Sequence, residues 1–161
     1  MGSSQVIHLP TIVVKLSPLG FHRFASEFLN AANSVNIETS FSPARYYLYC
    51  HALELILKAF LLTKNVPMAE LKKPRKLGHD LDKVLNRATQ LGLEDLVQIT
   101  VAHENEVRKA NGYYNGPHKG FEYFEVIPAF TGYKDLPDID VLADLTSTLV
   151  AQLEEVCLNA T

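Results

Sequence analysis

The sequence predicts an all-α protein, an up-and-down bundle of about five helices with one irregular, aromatic-rich loop before the last helix. The segment from Pro43 to Lys64 is almost wholly apolar, which is typical of a central helix with little solvent to face. Two helix starts carry a serine N-cap followed by proline at the first helical position, Ser17-Pro18 and Ser42-Pro43. The links between the helical patterns are mostly short, which favours antiparallel neighbours.

Apolar residues recur at three- and four-residue intervals along most of the chain, and this spacing sets the order of the helices. The predicted helices cover residues 17–33, 43–64, 80–91, 94–110 and 138–159. The loop PMAELKKPRKLGH follows the second helix, and Pro67, Pro74 and Gly78 within it exclude a long regular element. Gly92 is predicted to end the third helix, and Asn111-Gly112 the fourth.

One region, from Asn111 to Pro137, has no helical pattern and is rich in glycine, proline and aromatic residues. A short extended piece is predicted within residues 121–127. A connection of this length in a compact domain is usually functional or packed by its own side chains. Its aromatic rings either cover the end of the bundle or stack on nucleic-acid bases.

Length and composition indicate one globular domain, residues 1–161, with residues 1–16 as an extended N-terminal segment. Apolar residues make up 47% of the chain and charged residues 20%, and the formal net charge is −3. This balance argues against a broad nucleic-acid surface, although it leaves room for a local basic patch.

The cellular setting is predicted from cysteine usage and hydropathy. Cys50 and Cys157 each lie in an apolar helical pattern, which favours two buried thiols in a reducing cytosol. The start of the chain lacks the basic and apolar regions of a signal peptide. The apolar run of the central helix is interrupted by Glu54 and Lys58, which argues against a membrane span. We therefore expect a cytoplasmic protein.

The central helix carries a polar stripe formed by Tyr47, His51, Glu54 and Lys58. At about 100° per residue these positions lie within roughly 60° of one another. One interpretation is that the stripe faces water, with Glu54 and Lys58 as an i,i+4 pair worth about 0.3–0.5 kcal/mol. The other is a polar cleft that binds a ligand, in which His51 handles protons or phosphate.

Arg45 and His51 are the candidate catalytic residues. The five residues between them match the spacing of an arginine–histidine nuclease pair, although a single match of this kind arises easily by chance. Six helical steps leave the two side chains about 120° apart. The pair therefore converges only if the helix starts later than predicted or if a second protomer completes the site.

Two further features precede the third helix. Asp80 is its predicted N-cap, which puts His79 at the helix entrance as a candidate ligand-binding residue. The loop before it carries a cationic cluster that is either a solvated loop or a phosphate and nucleic-acid contact, comprising Lys72, Lys73, Arg75 and Lys76.

Metal and cofactor signals are weak. His51 with Glu54 and His103 with Glu104 are single pairs with no second pair at ligand spacing. The chain has no glycine-rich phosphate loop, no G-x-S-x-G and no C-x-x-C. We expect neither a metal nor a cofactor.

Three segments, ARYYL at 44–48, HALELILKA at 51–59 and GHDL at 78–81, resemble the HEPN superfamily of helical-bundle proteins. The likeness covers residues 43–91 well and the rest of the chain loosely. It implies a five-helix bundle that commonly dimerises. Many members of this superfamily belong to prokaryotic toxin–antitoxin or other defence systems, often beside a nucleotidyltransferase partner.

Active members of that superfamily are metal-independent ribonucleases with an R-x(4–6)-H motif late in the chain. Here the late candidates, Arg108 and His118, have nine residues between them, which is too many. We therefore predict a homodimeric, non-catalytic binding or partner module in a defence context. Its ligand would be a nucleotide or RNA bound at His51, Glu54, Lys58 and His79, and a neighbouring gene would supply a protein partner.

The alternative is a metal-independent ribonuclease, so whether the protein is an enzyme stays open at this point. In it, Arg45 binds phosphate and His51 is the general acid/base, with the site assembled across a dimer interface.

Overall fold

The computed structural model describes residues 16–36, 41–123 and 132–160. Within these ranges the chain is all-α, with no strand and seven α-helices, five of them substantial. The predicted fold class is confirmed. The helices are α1 Pro18–Ser34, α2 Pro43–Thr63, α3 Met68–Lys72, α4 Leu81–Gln90, α5 Val101–Tyr114, α6 Ile139–Gln152 and α7 Glu154–Asn159.

Serine caps start the first two long helices, as predicted. The Ser17 hydroxyl accepts a hydrogen bond from the Gly20 amide at 3.1 Å, and the Ser42 hydroxyl accepts one from the Arg45 amide at 3.3 Å. In each case proline follows the cap, where its missing N–H costs nothing. These caps satisfy amides that have no acceptor inside the helix.

Helix α2 lies at the centre of the bundle and contacts α1, α4, α5, α6 and α7. Leu53, Ile56, Leu57 and Phe60 on this helix are completely buried. Each such side chain contributes roughly 1.5–3 kcal/mol through burial. A helix surrounded in this way must also place its polar residues inside the protein, and this fact determines the site described below.

The predicted fourth helix was wrong at both ends. Residues 93–95 form a separate 3-10 turn after Gly92, which has the left-handed φ of 89°. Helix α5 begins only after Thr100, whose hydroxyl accepts from the His103 amide at 3.2 Å while the His103 ring accepts from the Thr100 amide at 3.3 Å. It continues through Gly112 to Tyr114, because burial of the Tyr114 side chain stabilises the last turn.

The predicted last helix is divided at Leu153, which joins α6 to α7. Its N-cap is Asp138, whose carboxylate accepts from the Asp140 amide at 2.9 Å. Leu153 and Cys157 are fully buried, so the bend keeps both of them against the core. Cys50 is also buried.

Aromatic rings of the irregular region pack on the end of the bundle. Phe121 stacks on Tyr46 and on Tyr113, with ring centroids 5.0 Å apart in both pairs. The Tyr46 hydroxyl donates to the Pro137 carbonyl at 3.0 Å. Of the extended piece predicted here, residues 121–123 form a turn. Residues 124–127 lie outside the described residues, as do residues 1–15 of the predicted N-terminal segment.

Among the described helices, none is both long and apolar enough to cross a membrane.

Candidate functional site

The polar stripe of α2 lies inside the protein at its lower half. Glu54 is 2% exposed and Lys58 is 6% exposed. Lys58 Nζ lies 2.6 Å from Glu54 Oε1. The interpretation that this pair faces water is therefore wrong, and the small energy of a surface i,i+4 pair does not apply to it. The packing of other helices around α2 removes the pair from solvent.

Two groups from other elements complete the surroundings of the Glu54 carboxylate. The Tyr114 hydroxyl, at the end of α5, donates to Oε2 at 2.6 Å. His79, the residue before the N-cap of α4, places Nδ1 3.0 Å from Oε1 and 3.1 Å from Oε2. A buried carboxylate needs such partners, because an unpaired one is costly in an apolar interior.

His51 is held by the same network through Tyr114. Its Nδ1 lies 2.9 Å from the Tyr114 hydroxyl oxygen. Since the single tyrosine proton is donated to Glu54, the His51 nitrogen must be the donor in this bond. The neutral ring therefore carries its proton on Nδ1 and a lone pair on Nε2. The edge-on ring of Phe28, at a centroid distance of 4.4 Å, helps to fix its orientation.

The tautomer of His79 follows from the same reasoning. Its Nδ1 faces two carboxylate oxygens that can only accept, so Nδ1 carries the proton and Nε2 the lone pair. Within the described part of the chain, neither Nε2 of the two imidazoles has a hydrogen-bond partner. The two rings differ in access: the side chain of His79 is 64% exposed and that of His51 is 23% exposed.

Burial and charge shift the pKa values of the network. Burial by itself raises the pKa of the Glu54 carboxyl, but the Lys58 ammonium and the hydrogen bonds from Lys58 and Tyr114 outweigh it, so the pKa lies below its usual 4.5. Burial lowers the pKa of His51 below 6.5 despite the opposing effect of Glu54. Burial and the Glu54 charge raise the pKa of Tyr114. Near neutral pH the site thus contains a carboxylate, a neutral His51 and an intact tyrosine hydroxyl.

A pocket of about 160 Å³ opens above this network. Lys119 and Glu122, from the turn after α5, pair at its rim with Nζ 3.1 Å from Oε2. This hydrogen bond lowers the pKa of Glu122 and raises that of Lys119. The pocket is lined by Tyr47, His51, His79, Tyr114, Lys119 and Glu122.

The candidate catalytic residue Arg45 makes its contacts elsewhere. Its guanidinium donates to the Tyr49 hydroxyl at 3.4 Å, and that hydroxyl donates to Asn33 of α1 at 2.6 Å. His51 instead contacts Tyr114 of α5. Within one chain the two residues therefore take part in separate networks, as the angle between them on the helix predicts.

The cationic cluster of Lys72, Lys73, Arg75 and Lys76 is fully exposed. Lys72 ends α3, and the other three lie in the turns that lead to Gly78 and His79. Among the three candidate sites from the sequence, the structure brings His51, Glu54, Lys58 and His79 together in one network. The cationic cluster and Arg45 are not hydrogen-bonded to that network in the described part of the chain.

Sequence reasoning missed the roles of Tyr114, Lys119 and Glu122. Tyr114 is 60 positions from Glu54 along the chain, and no periodic pattern relates them. The aromatic-rich composition after Asn111 was the available signal, but it did not identify a partner. No group of three or more histidine, cysteine or acidic side chains that could hold a metal ion occurs among the described residues.

The fold and the site together define the class as an all-α bundle in which one buried carboxylate orients two imidazoles beside a small polar pocket. Comparison of the chain with models of protein families, with curated proteins and with solved structures found no match.

Proposed function

We propose that this protein is a non-catalytic binding module whose pocket takes the phosphate and hydroxyl groups of a nucleotide or an RNA end. One observation carries the proposal: His51, His79 and Lys119 line the same pocket, and both imidazoles are positioned by the Glu54 carboxylate. Preorganised polar groups around a small concavity are typical of a ligand site.

The donors and acceptors of the pocket match the two kinds of oxygen in a nucleotide. Lys119 supplies a positive charge for a phosphate oxygen. A neutral imidazole with a lone pair on Nε2 accepts from a sugar hydroxyl, and a protonated one donates to phosphate. The ring of Tyr47 at the pocket wall offers a face on which a base can stack.

The size of the pocket limits what enters it. Its volume of about 160 Å³ is below the roughly 300–1,000 Å³ of pockets that enclose a whole drug-sized ligand. A phosphate or a sugar fits, while the remainder of the ligand lies along the surface. The exposed cations at residues 72–76 then provide sequence-independent attraction for further phosphates of an RNA.

The resemblance of residues 43–91 to HEPN bundles supports a nucleotide or RNA ligand. A homodimer, a protein partner from a neighbouring gene and a role in prokaryotic defence belong to the same proposal, and they rest on that resemblance alone. Purification from the native host, followed by identification of co-purifying proteins, tests the partner.

The ribonuclease alternative has weaker support. It requires Arg45 of one protomer to approach His51 of another, because within one chain Arg45 contacts Tyr49 on a different side of α2. General acid–base chemistry needs groups within hydrogen-bond reach of the reacting atoms. Cleavage of RNA in EDTA that is lost in both Arg45→Ala and His51→Asn would replace the binding proposal with this one.

The test is equilibrium binding of adenosine 5′-monophosphate and of a short single-stranded RNA, in EDTA. Lys119→Gln should weaken binding of both about tenfold, since it removes a charge-assisted hydrogen bond. Lys83→Gln is the matched control, because Lys83 is also exposed and also lies 3.1 Å from an acidic partner, Asp80, outside the pocket. Equal affinity of the two variants, or no binding by the wild type, would contradict the proposal.

A further inference from the structure

The imidazole of His79 is held on one side and open on the other. Its Nδ1 donates to both oxygens of Glu54, at 3.0 and 3.1 Å, and Glu54 is itself 2% exposed. The His79 side chain is nevertheless 64% exposed. The bound nitrogen faces a buried carboxylate, so the nitrogen with the lone pair, Nε2, is the one available to a reagent.

A carboxylate on one ring nitrogen and a free lone pair on the other is the arrangement that makes histidine a nucleophile. The carboxylate fixes the tautomer and stabilises the positive charge that develops on the ring during attack. His51 has only an indirect link to the same carboxylate, through the Tyr114 hydroxyl. It is also less accessible, since Phe28 and Tyr47 lie against its ring.

We propose that His79 is a phosphoryl-acceptor site, whose Nε2 takes a phosphoryl group from a small donor of the phosphoramidate or acyl phosphate class. This inference rests on the proposed function, because the phosphoryl group of the donor occupies the same pocket as the phosphate of the ligand. Lys119, which lines that pocket with His79, offsets the negative charge of the incoming group.

The transfer balances without a further reagent. The Nε2 lone pair forms a bond to phosphorus while the bond from phosphorus to the leaving group breaks. From phosphoramidate, ammonia leaves with the electron pair of the P–N bond. The ring keeps its Nδ1 proton and becomes a phosphorylated imidazolium, whose positive charge faces the Glu54 carboxylate. No oxidation or reduction takes place, and no proton has to leave the ring.

The experiment is incubation of the full chain with potassium phosphoramidate, followed by intact mass, peptide mapping and phosphorus NMR. His79→Asn is the test variant, because the asparagine amide retains a donor toward Glu54 and lacks the nucleophilic nitrogen. His51→Asn is the matched control, since it makes the same change in the other imidazole of the pocket. Circular dichroism and a thermal melt verify that each variant is folded.

We expect one acid-labile, alkali-stable phosphoryl group on His79, added about tenfold faster than to other histidines, which is the size of effect that a carboxylate partner has on a functional imidazole. Labelling should disappear in His79→Asn and persist in His51→Asn. Equal labelling of several histidines, or unchanged labelling in His79→Asn, would overturn the inference.

Binding of adenosine 5′-monophosphate, measured on the same samples, separates this inference from the proposed function. Binding without labelling of His79 overturns the phosphoryl-acceptor site and leaves the binding proposal intact. Labelling of His79 in a protein that binds neither nucleotide nor RNA overturns the binding proposal and supports the acceptor site.

Discussion

Lys58 and Glu54 form a buried ion pair one helical turn apart, with Nζ 2.6 Å from Oε1 and with side chains only 8% and 3% exposed. The pair sits on α2, the helix that also carries most of the core. The charge of Lys58 keeps Glu54 ionised within the bundle, and the ionised carboxylate in turn orients both imidazoles of the pocket. Stability and site geometry therefore depend on the same contact.

Replacement of Lys58 by methionine should be strongly destabilising. It leaves the Glu54 carboxylate buried without its cation, and loss of one partner of a buried pair costs about 3–5 kcal/mol. Lys83→Met is the control, because Lys83 pairs with Asp80 at 3.1 Å but is 54% exposed, and exposed pairs contribute about 0–1 kcal/mol. Guanidinium denaturation of both variants measures the difference, and similar losses in the two would contradict a buried pair.

Tyr114→Phe removes one hydroxyl that bonds to Glu54 at 2.6 Å and to His51 at 2.9 Å. We expect a loss of about 1.5–3 kcal/mol, the usual range for a hydrogen bond to a charged group. Nitrogen chemical shifts of the His51 ring should also show a mixture of tautomers. Tyr123→Phe, at a side chain that is 58% exposed, should change stability by less than about 0.5 kcal/mol.

The free energy of unfolding should fall on acidification, and His51 should contribute to the fall. Burial lowers the pKa of His51 in the folded protein below 6.5, although Glu54 opposes this. As pH drops, the unfolded chain takes up this proton first, so the contribution is complete above about pH 6.5 and is lost as pH falls toward the folded pKa. The lowered pKa of Glu54 gives a second loss of the same sign below its usual 4.5.

Denaturation of wild type and His51→Asn from about pH 7 to about pH 5 tests this dependence, since the variant lacks one titrating group. The wild-type curve should be the steeper of the two. Parallel curves, or an NMR titration that puts the pKa of His51 above 6.5, would show that the sign is wrong.

Two glycine-to-alanine changes should have opposite effects. Gly78, just before His79, has a φ of 49°, and a Cβ there would lie 2.8 Å from Pro74 Cα. Gly78→Ala should therefore cost more than about 1 kcal/mol. Gly112 is helical and exposed, with nothing within 4 Å of an added Cβ, so Gly112→Ala should stabilise by roughly 0.5–1 kcal/mol. Thermal melts of the two variants provide the comparison.

Local signals predicted the first two long helices and α4 within one or two residues. Ser17, Ser42 and Asp80 cap helices through their own side chains, so their effect can be identified from neighbouring residues alone. The start of α5 was missed because Leu93 and Leu96 continue an apolar pattern, whereas the cap at Thr100 uses a histidine in place of the usual Glu or Gln. Its end was missed because burial of Tyr114 outweighs the helix-breaking tendency of Gly112.

The sequence by itself determined the all-α class, the central position of α2 and the presence of His51, Glu54 and Lys58 on one side of it, because helical periodicity and capping are short-range properties. Only the tertiary structure decided that this side is buried, that Tyr114 and His79 meet the Glu54 carboxylate, and that Arg45 contacts another network. These outcomes depend on which helices pack around α2 and on contacts between residues 25 and 60 positions apart. No local pattern encodes such contacts, since they arise from the shared need of several elements to satisfy one buried charge.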